Sequence, residues 1–406
     1  MGPFNRRAVQ QYSPLLDRIV QQLVARDYAF PMRHLGGAVQ ELSHLFTRER
    51  RSLSSGYLDD ARFAAAYLSY FLPVNAAKVQ MLLDELPMDM DLAEKTEGEC
   101  SVLDLGSGPG TAGLAVLDWL VQKAGKDTKL RVVSVDRSQT GMKDSVRLWQ
   151  GYCREAGVRQ AMLKTCVGDL EKTQRGLVWN ALRKASPYDL IIIANCLNEL
   201  YGESADPVLR RAELIGGLLP LLQPHGSIMI IEPALRQISR ELHRLRDRLL
   251  QSKLCTVYSP CLHEQACPAL VHPDDWCHEE RPWVPPAAIQ AIDREVGFIK
   301  DALKFSYLLL RKDGRTVVER QPDVYRVVSE LREFKGEKRA WLCNELGRPE
   351  VGRLDRMHST TNAAFDQWHR GAIIRISEIV RKERKGRESA VGRIPLDARV
   401  EIVRPI

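Results

Sequence analysis

Apolar positions near the start of the chain recur at helical spacing: Leu15, Leu16, Ile19, Val20 and Leu23 line one face, and Phe63, Tyr67 and Phe71 another. Pro73 then opens a further helix over 74–86, since proline is tolerated only in a first helical turn. Residues 1–95 are therefore expected to form a helical N-terminal region. From Ser101 the period changes. Short β-branched runs at 102–106, 131–136, 163–169, 189–195 and 227–233 alternate with amphipathic stretches at 111–124, 141–156, 171–185 and 207–222. Strands buried on both faces read as continuous apolar runs, so this alternation predicts βαβ units around a parallel sheet. A further strand is predicted at 304–310, before the charged turn Arg311 to Gly314.

The expected organisation has three parts: a helical region over 1–95, an α/β domain over 96–315 carrying an insertion at 235–300, and a β-rich domain over 320–406. The insertion opens with a charged helix and then becomes rich in Cys, His, Pro and Trp. Short β-like runs in the last part, such as YRVVSEL and RAWLCNEL, suit a small antiparallel barrel or sandwich.

Candidate chemistry begins at DLGSGPGT, Asp104 to Thr111, between the first strand and the next helix. Gly106, Gly108 and Gly110 let backbone approach a ligand without Cβ clashes, and Asp104 and Ser107 lie in the same loop. The second strand ends at Asp136, where a carboxylate can accept from ribose hydroxyls. The third ends at Gly168-Asp169, placed for an adenine amino group, and the fourth at Asn195, beside the same crevice. Together these signals resemble class I S-adenosylmethionine-dependent methyltransferases with a Rossmann-like sheet, more than nicotinamide enzymes. After the fourth strand stands Asn195-Cys196-Leu197-Asn198-Glu199, which lacks the Pro-Pro-aromatic signature of exocyclic amino methyltransferases. Cys196 is a packing residue more readily than a nucleophile, and Asn198 and Glu232 are polar candidates at the sheet's working edge. No catalytic base is identified.

Cys255, Cys261, Cys267 and Cys277 follow one another as C-x5-C-x5-C-x9-C in a chain with nine cysteines. Thiolates are soft ligands for zinc or an iron–sulfur cluster, and the paired knuckles of zinc ribbons are absent. His263, His272 and His278 are substitute ligands. Charge adds a further element: the formal net charge is +7, and residues 311–406 hold 22 Lys plus Arg against 15 Asp plus Glu, so the whole excess lies there. A segregated basic module suits a polyanion such as nucleic acid. Within it Arg381, Lys382, Arg384, Lys385 and Arg387 form a dense run, and Trp341, Phe365 and Trp368 are candidates either for base stacking or for a small core.

Several of these segments, LSHLFTRERR (42–51), GYLDD (56–60), AAYLSYFLPVNAAKV (65–79), DLGSGPGT, SPCLHEQACP (259–268), DDWCH (274–278) and KFSYLLLRK (304–312), resemble the Rsm-twenty-two family, which includes the methyltransferase-like-seventeen proteins. The resemblance spans roughly residues 35–315. It implies a factor that assembles or matures the small ribosomal subunit and contacts its rRNA, with an S-adenosylmethionine-type pocket and a 4Fe-4S cluster on Cys255, Cys261, Cys267 and Cys277, zinc being the alternative. It leaves open whether methyl transfer occurs or the fold is retained as an rRNA-binding scaffold. No stretch approaches the ~20 apolar residues of a membrane span, and Met1 to Val9 has no apolar run, so neither anchor nor secretion signal is expected. The expected home is a bacterial cytoplasm, or the mitochondrial matrix for a eukaryotic chain, and the expected state a monomer.

Overall fold

Parallel pairing about one central strand organises the first half of the chain. The computed structural model describes residues 13–28, 32–49, 56–87, 98–172, 176–384 and 386–405. In it β1 (Cys100–Leu105) is buried throughout and pairs with β2 (Leu130–Asp136) on one side and β4 (Tyr188–Ala194) on the other. β3 (Ala161–Val167) adds outside β2 and β5 (Leu222–Pro233) outside β4, every pair parallel, giving the order β3-β2-β1-β4-β5. This is the doubly wound sheet of a class I methyltransferase-like, Rossmann-like α/β fold.

The described chain divides into two compact units, 1–235 with 282–303, and 236–281 with 304–406. This differs from the expected partition at 315 to 320 and across 235–300, and the contacts give the reason. In the first unit α1 (Pro14–Asp27) lies on α6 (Gln139–Ala156), and α4 (Leu72–Leu83) on α5 (Thr111–Ala124). The fully buried Asp118 of α5 ties these helices together, accepting from Gln80 at 2.7 Å, Gln122 at 2.6 Å and Tyr152 at 2.8 Å. The end of the insertion joins this unit because α10 (Ala287–Val296) packs on α2 (Met32–Thr47), with Tyr70 Oη donating to Asp293 at 2.6 Å. Tyr70 belongs to a π-helical turn, Tyr67–Phe71, between α3 (Ala61–Ala66) and α4.

The second unit takes α9 (Arg236–Gln251), β6 (Thr256–Ser259), β7 (Glu279–Pro282) and most of β8 (Ala302–Arg311). Its remaining strands are β9 (Val324–Val327), β10 (Arg332–Phe334), β11 (Glu337–Cys343), β12 (Glu350–Leu354), β13 (Ile373–Ile376), β14 (Glu383–Arg384), β15 (Arg387–Glu388), β16 (Val391–Arg393) and β17 (Val400–Arg404). The order β16-β12-β11-β9-β13-β17 is antiparallel save for the parallel β12–β16 pair, and β10 hangs on β11 outside this path. The unit's Cys-rich stretch is held here by charge: buried Arg326 donates to Glu279 at 3.0 Å, and Arg348 pairs with Asp275.

Phe365 and Trp368, 4.5 Å apart between ring centroids, sit in the β core with Val327, Leu342, Val351, Ile374 and Ile376. Their exposures of 0% and 4% assign both to packing and not to a ligand surface. Phe365→Ala is expected to destabilise the full-length protein by about 3–5 kcal/mol, read as a lowered urea midpoint in fluorescence. A change below about 1 kcal/mol would mean that this core is not cooperative.

Candidate functional site

The glycine loop turns in left-handed backbone at three points: Gly106, Gly108 and Gly110 have φ of +67°, +51° and +79°. Glycine is required there sterically as well. A Cβ on Gly106 would lie 2.1 Å from Cys196 Sγ, and one on Gly110 2.1 Å from Ser145 Oγ. Asp136, at the end of β2, accepts from Gly108 N–H at 2.8 Å with one oxygen and from Ser138 N–H at 2.7 Å with the other. It thus shapes the loop while each oxygen keeps lone pairs for a further donor. Ser107 Oγ is buried without a hydrogen-bond partner, an orphaned group inside the loop.

Asp104 points elsewhere. It accepts from Gly113 N–H at 3.0 Å, and burial, opposed by that bond, raises its carboxyl to about 7. Its role in the geometry is to hold the start of α5 against β1. Asp169 is half-exposed, accepts from Glu171 N–H at 2.9 Å in a turn and faces Lys172 at 3.5 Å. Asn195 follows β4 in left-handed backbone, φ +56°, and donates its N–H to Ile231 at 2.7 Å.

The next residues fill the crevice. Burial, with Glu199, Asp136 and Glu232 nearby, pushes the Cys196 thiol well above its usual range, so it stays protonated and weakly nucleophilic at neutral pH. Glu232, at the end of β5, is buried and takes hydrogens from Asn198 N–H at 3.2 Å and from Asn198 Nδ2. Other groups here were not legible as site residues. Tyr57 and Tyr67 are raised by burial and by Asp136 and Glu199. Leu58 lies 3.8 Å from where a Gly108 Cβ would be, and Thr140 donates to Asp59 at 2.6 Å, so the turn Tyr57–Asp59 covers the loop. Lys78, buried on α4, is lowered to about 7 by burial and by Lys300, with Glu232 opposing. It donates to Asn75 at 3.0 Å. A lone lysine on a helix reads as solvated, whereas the GYLDD and AAYLSYF segments carried a usable signal.

In the second unit the thiols of Cys261, Cys267, Cys277 and Cys343 act on one another. Cys277 is raised by burial, then by Cys267 and Cys261; Cys343 is raised by burial, then by Cys261, Cys277 and Cys267; Cys267 is pushed up to about 12. For Cys255, burial and then Glu264 raise the thiol to about 11. Cys343, 66 positions beyond Cys277, thus shares the electrostatic surroundings of Cys261, Cys267 and Cys277. Among the described residues no three His, Cys, Asp or Glu side chains are placed to hold a single metal ion.

The thiols are surrounded by cations. Arg246 is 1% exposed and its charged form is favoured, against the cost of burial, by Cys261, Asp247 and Cys267. The Nε–H groups of Arg246 and Arg348 are buried without acceptors. His263 has its Nδ1 3.5 Å from Arg246 Nη2, which can only donate, so its proton belongs on Nε2, 3.6 Å from Cys343 Sγ. Burial and Arg246 hold His263 neutral down to about 4. Cys267 N–H donates to Asp247 at 2.9 Å and Cys277 N–H to His243 Nε2 at 3.0 Å. His278 stacks on Trp276, and His272 is exposed with its carbonyl accepting from Arg240 at 2.7 Å. Arg381 and Lys382 are exposed, while Lys385 lies outside the described residues.

The depressed lysine gives a direct check. After reductive methylation with labelled carbon, one lysine resonance should titrate near neutral pH, several units below the others, and vanish in Lys78→Arg. Titration of all lysines near their ordinary value would remove Lys78 from the site.

No curated protein matches the sequence. Among solved structures, the plantazolicin methyltransferase BpumL in complex with SAH is similar at 12% identity, covering 73% of this chain and 99% of that one, with a TM-score of 0.33. The magnesium protoporphyrin IX methyltransferase ChlM from Synechocystis PCC 6803 with bound SAM shares 14% identity over 63% of this chain and 91% of its own, TM-score 0.31. The mitomycin 7-O-methyltransferase MmcR shares 13% identity over 74% and 69%, TM-score 0.32. The model of the family described as mitochondrial small ribosomal subunit Rsm22 matches residues 61–351, well over half of the chain. The chain belongs to the Rsm22 (Rsm-twenty-two) family.

Proposed function

We propose that the protein is an S-adenosylmethionine-dependent, rRNA-directed methyltransferase-like factor of the small ribosomal subunit that carries a 4Fe-4S cluster. The observation that carries the methyltransferase reading is the glycine loop held by Asp136 at the carboxyl ends of β1 and β2. In this reading the loop backbone and Ser107 approach the cofactor, Asp136 accepts from its ribose hydroxyls, Asp169 lies on the adenine side and Asn195 lines the transfer site. The cofactor supplies an electrophilic methyl group. The protein's part is alignment and, for an acceptor that loses a proton, a base. Lys78, about half neutral near pH 7, is the group best suited to that step.

The cluster reading is supported by the soft thiols of the Cys-rich unit and the buried arginines beside them. Were a cluster held here, the Nε–H groups of Arg246 and Arg348, buried without acceptors, would be available to hydrogen-bond its sulfur. We assign Cys261, Cys267, Cys277 and Cys343 as its ligands. The factor would act as a monomer wherever the small subunit is built, a bacterial cytoplasm or the mitochondrial matrix. Among the described residues no helix is long and apolar enough to cross a membrane. One observation favours the second reading, a non-catalytic rRNA-binding scaffold: Asn198 and Glu232 satisfy each other in the place where amino methyltransferases hold their acceptor.

Transfer of labelled methyl from S-adenosylmethionine to immature small-subunit particles decides between them. Label in rRNA that Asp136→Ala abolishes is the expected result. Wild type that binds cofactor and particles yet leaves no label would establish the scaffold.

For the cluster, anaerobically purified Cys343→Ser should lose iron, sulfide and the visible charge-transfer absorbance, while Cys255→Ser should keep them. The reverse pattern would restore Cys255 to the ligand set.

A further inference from the structure

Large aromatic side chains in a small β domain ordinarily fill its core, and in this one Tyr325, Phe365 and Trp368 do so. Two others do not. Phe334 is 45% exposed on β10, which hangs outside the main strand path, and Trp341 36% exposed on β11, its partner in that path. Pairing places them together. Phe334 stands opposite Glu337 and Arg332 opposite Arg339, and the two-residue period of β11 puts Glu337, Arg339 and Trp341 on one face. That face therefore presents Arg332, Phe334, Arg339 and Trp341 side by side.

Guanidinium groups border both rings. Arg339 Cζ lies 4.8 Å and Arg332 Cζ 5.7 Å from the Phe334 centroid, and Arg348 Cζ 5.9 Å from that of Trp341. Gly352 stands opposite Arg339 on β12, where a Cβ would come within 2.8 Å of Arg339 Cγ and of Arg393 Nη1. The bare position lets these two side chains lie flat across the face. Glu350 pairs with Arg332, and Glu337 with Arg339 and Arg393. The carboxylates orient the planes without cancelling the unit's positive excess.

We propose that this face, Phe334 and Trp341 flanked by Arg332, Arg339 and Arg393, binds unstacked bases of single-stranded RNA. Every base has a π face, so aromatic platforms accept bases with little regard to sequence, and neighbouring arginines stack or neutralise phosphate. Aromatic and arginine side chains also serve protein interfaces, but the positive excess of residues 311–406 favours a polyanion here. The proposal rests on the rRNA reading above and locates its contact.

The test uses the full-length protein and a fluorescein-labelled single-stranded RNA of mixed sequence, with the same RNA as a duplex for comparison. Binding is followed by anisotropy, and association with immature small-subunit particles by sedimentation. Phe334→Ala and Trp341→Ala should each weaken single-strand binding about tenfold or more, with an unchanged salt slope, since no charge is removed. Arg339→Ala should lower the salt slope, and Trp341→Phe should restore most of the affinity. Circular dichroism and the cluster's absorbance guard against misfolding, because Trp341 lies two residues from Cys343. Variants that bind single-stranded RNA as wild type does would overturn the proposal. So would wild type that prefers the duplex, or ring variants that lose particles but keep RNA, the mark of a protein contact. Wild type that binds particles but no free single strand sinks this proposal and leaves the rRNA factor standing; wild type that binds neither sinks both.

Discussion

The reversal of winding at β1 is the constraint on which the first unit depends. β2 and β3 extend the sheet on one side of β1, β4 and β5 on the other, so the connections that leave its carboxyl edge part in opposite directions. A crevice has to open there. The loop that crosses it must turn within five residues from a buried strand into α5, and positive φ at Gly106, Gly108 and Gly110 is how it does so. Asp136 then fixes the loop with both oxygens of one carboxylate, accepting from Gly108 and from Ser138. Asp104 is withdrawn from the surface to anchor Gly113, so the acid nearest the loop in sequence is the one that supports it.

In the second unit the corresponding constraint is buried charge. Arg246 is almost fully enclosed, and an enclosed guanidinium is tolerated only with anionic or hydrogen-bonding partners around it. Asp247, the carbonyls of His263 and Gln265, and the thiols of Cys261 and Cys267 supply them. Burial raises free thiols and so opposes their ionisation, while the arginines favour the thiolate. The proposed cluster would resolve this opposition, since bound thiolates would carry the negative charge that Arg246 favours.

The sheet was legible because strands buried on both faces leave continuous apolar runs, and α5 was expected at its observed bounds, Thr111–Ala124. The loop glycines were legible because positive φ and close packing require them there, and Asp136 was legible as the end of the second strand. What local pattern could not convey was partnership across long separations. Cys255, Cys261, Cys267 and Cys277 form a series along the chain, whereas Cys343, at the end of β11, feels Cys261, Cys277 and Cys267 from at least 66 positions away. The short strands β10, β12 and β16 left little periodic signal, and Trp341, Phe365 and Trp368 were indistinguishable until pairing set one at the surface and two in the core. The division of the insertion depended likewise on contacts such as Tyr70 to Asp293 and Arg326 to Glu279.

The crevice has a further property that the sheet alone would not give. Asp136, Glu199 and Glu232 come from strand ends and the turns after them, and all three are acidic. The groups opposite them come from the N-terminal helices: Tyr57 and Tyr67, whose phenols the carboxylates raise, and Lys78, whose ammonium Glu232 favours against burial. Segments far apart in the chain thus supply opposite halves of one electrostatic balance. Because the π-helical turn Tyr67–Phe71 adds a residue within a helical run, it rotates the helix beyond it, and Lys78 faces inward on the register that this turn sets. The electrostatics of this crevice therefore depend on how the helical region is wound, with the doubly wound sheet serving as its wall.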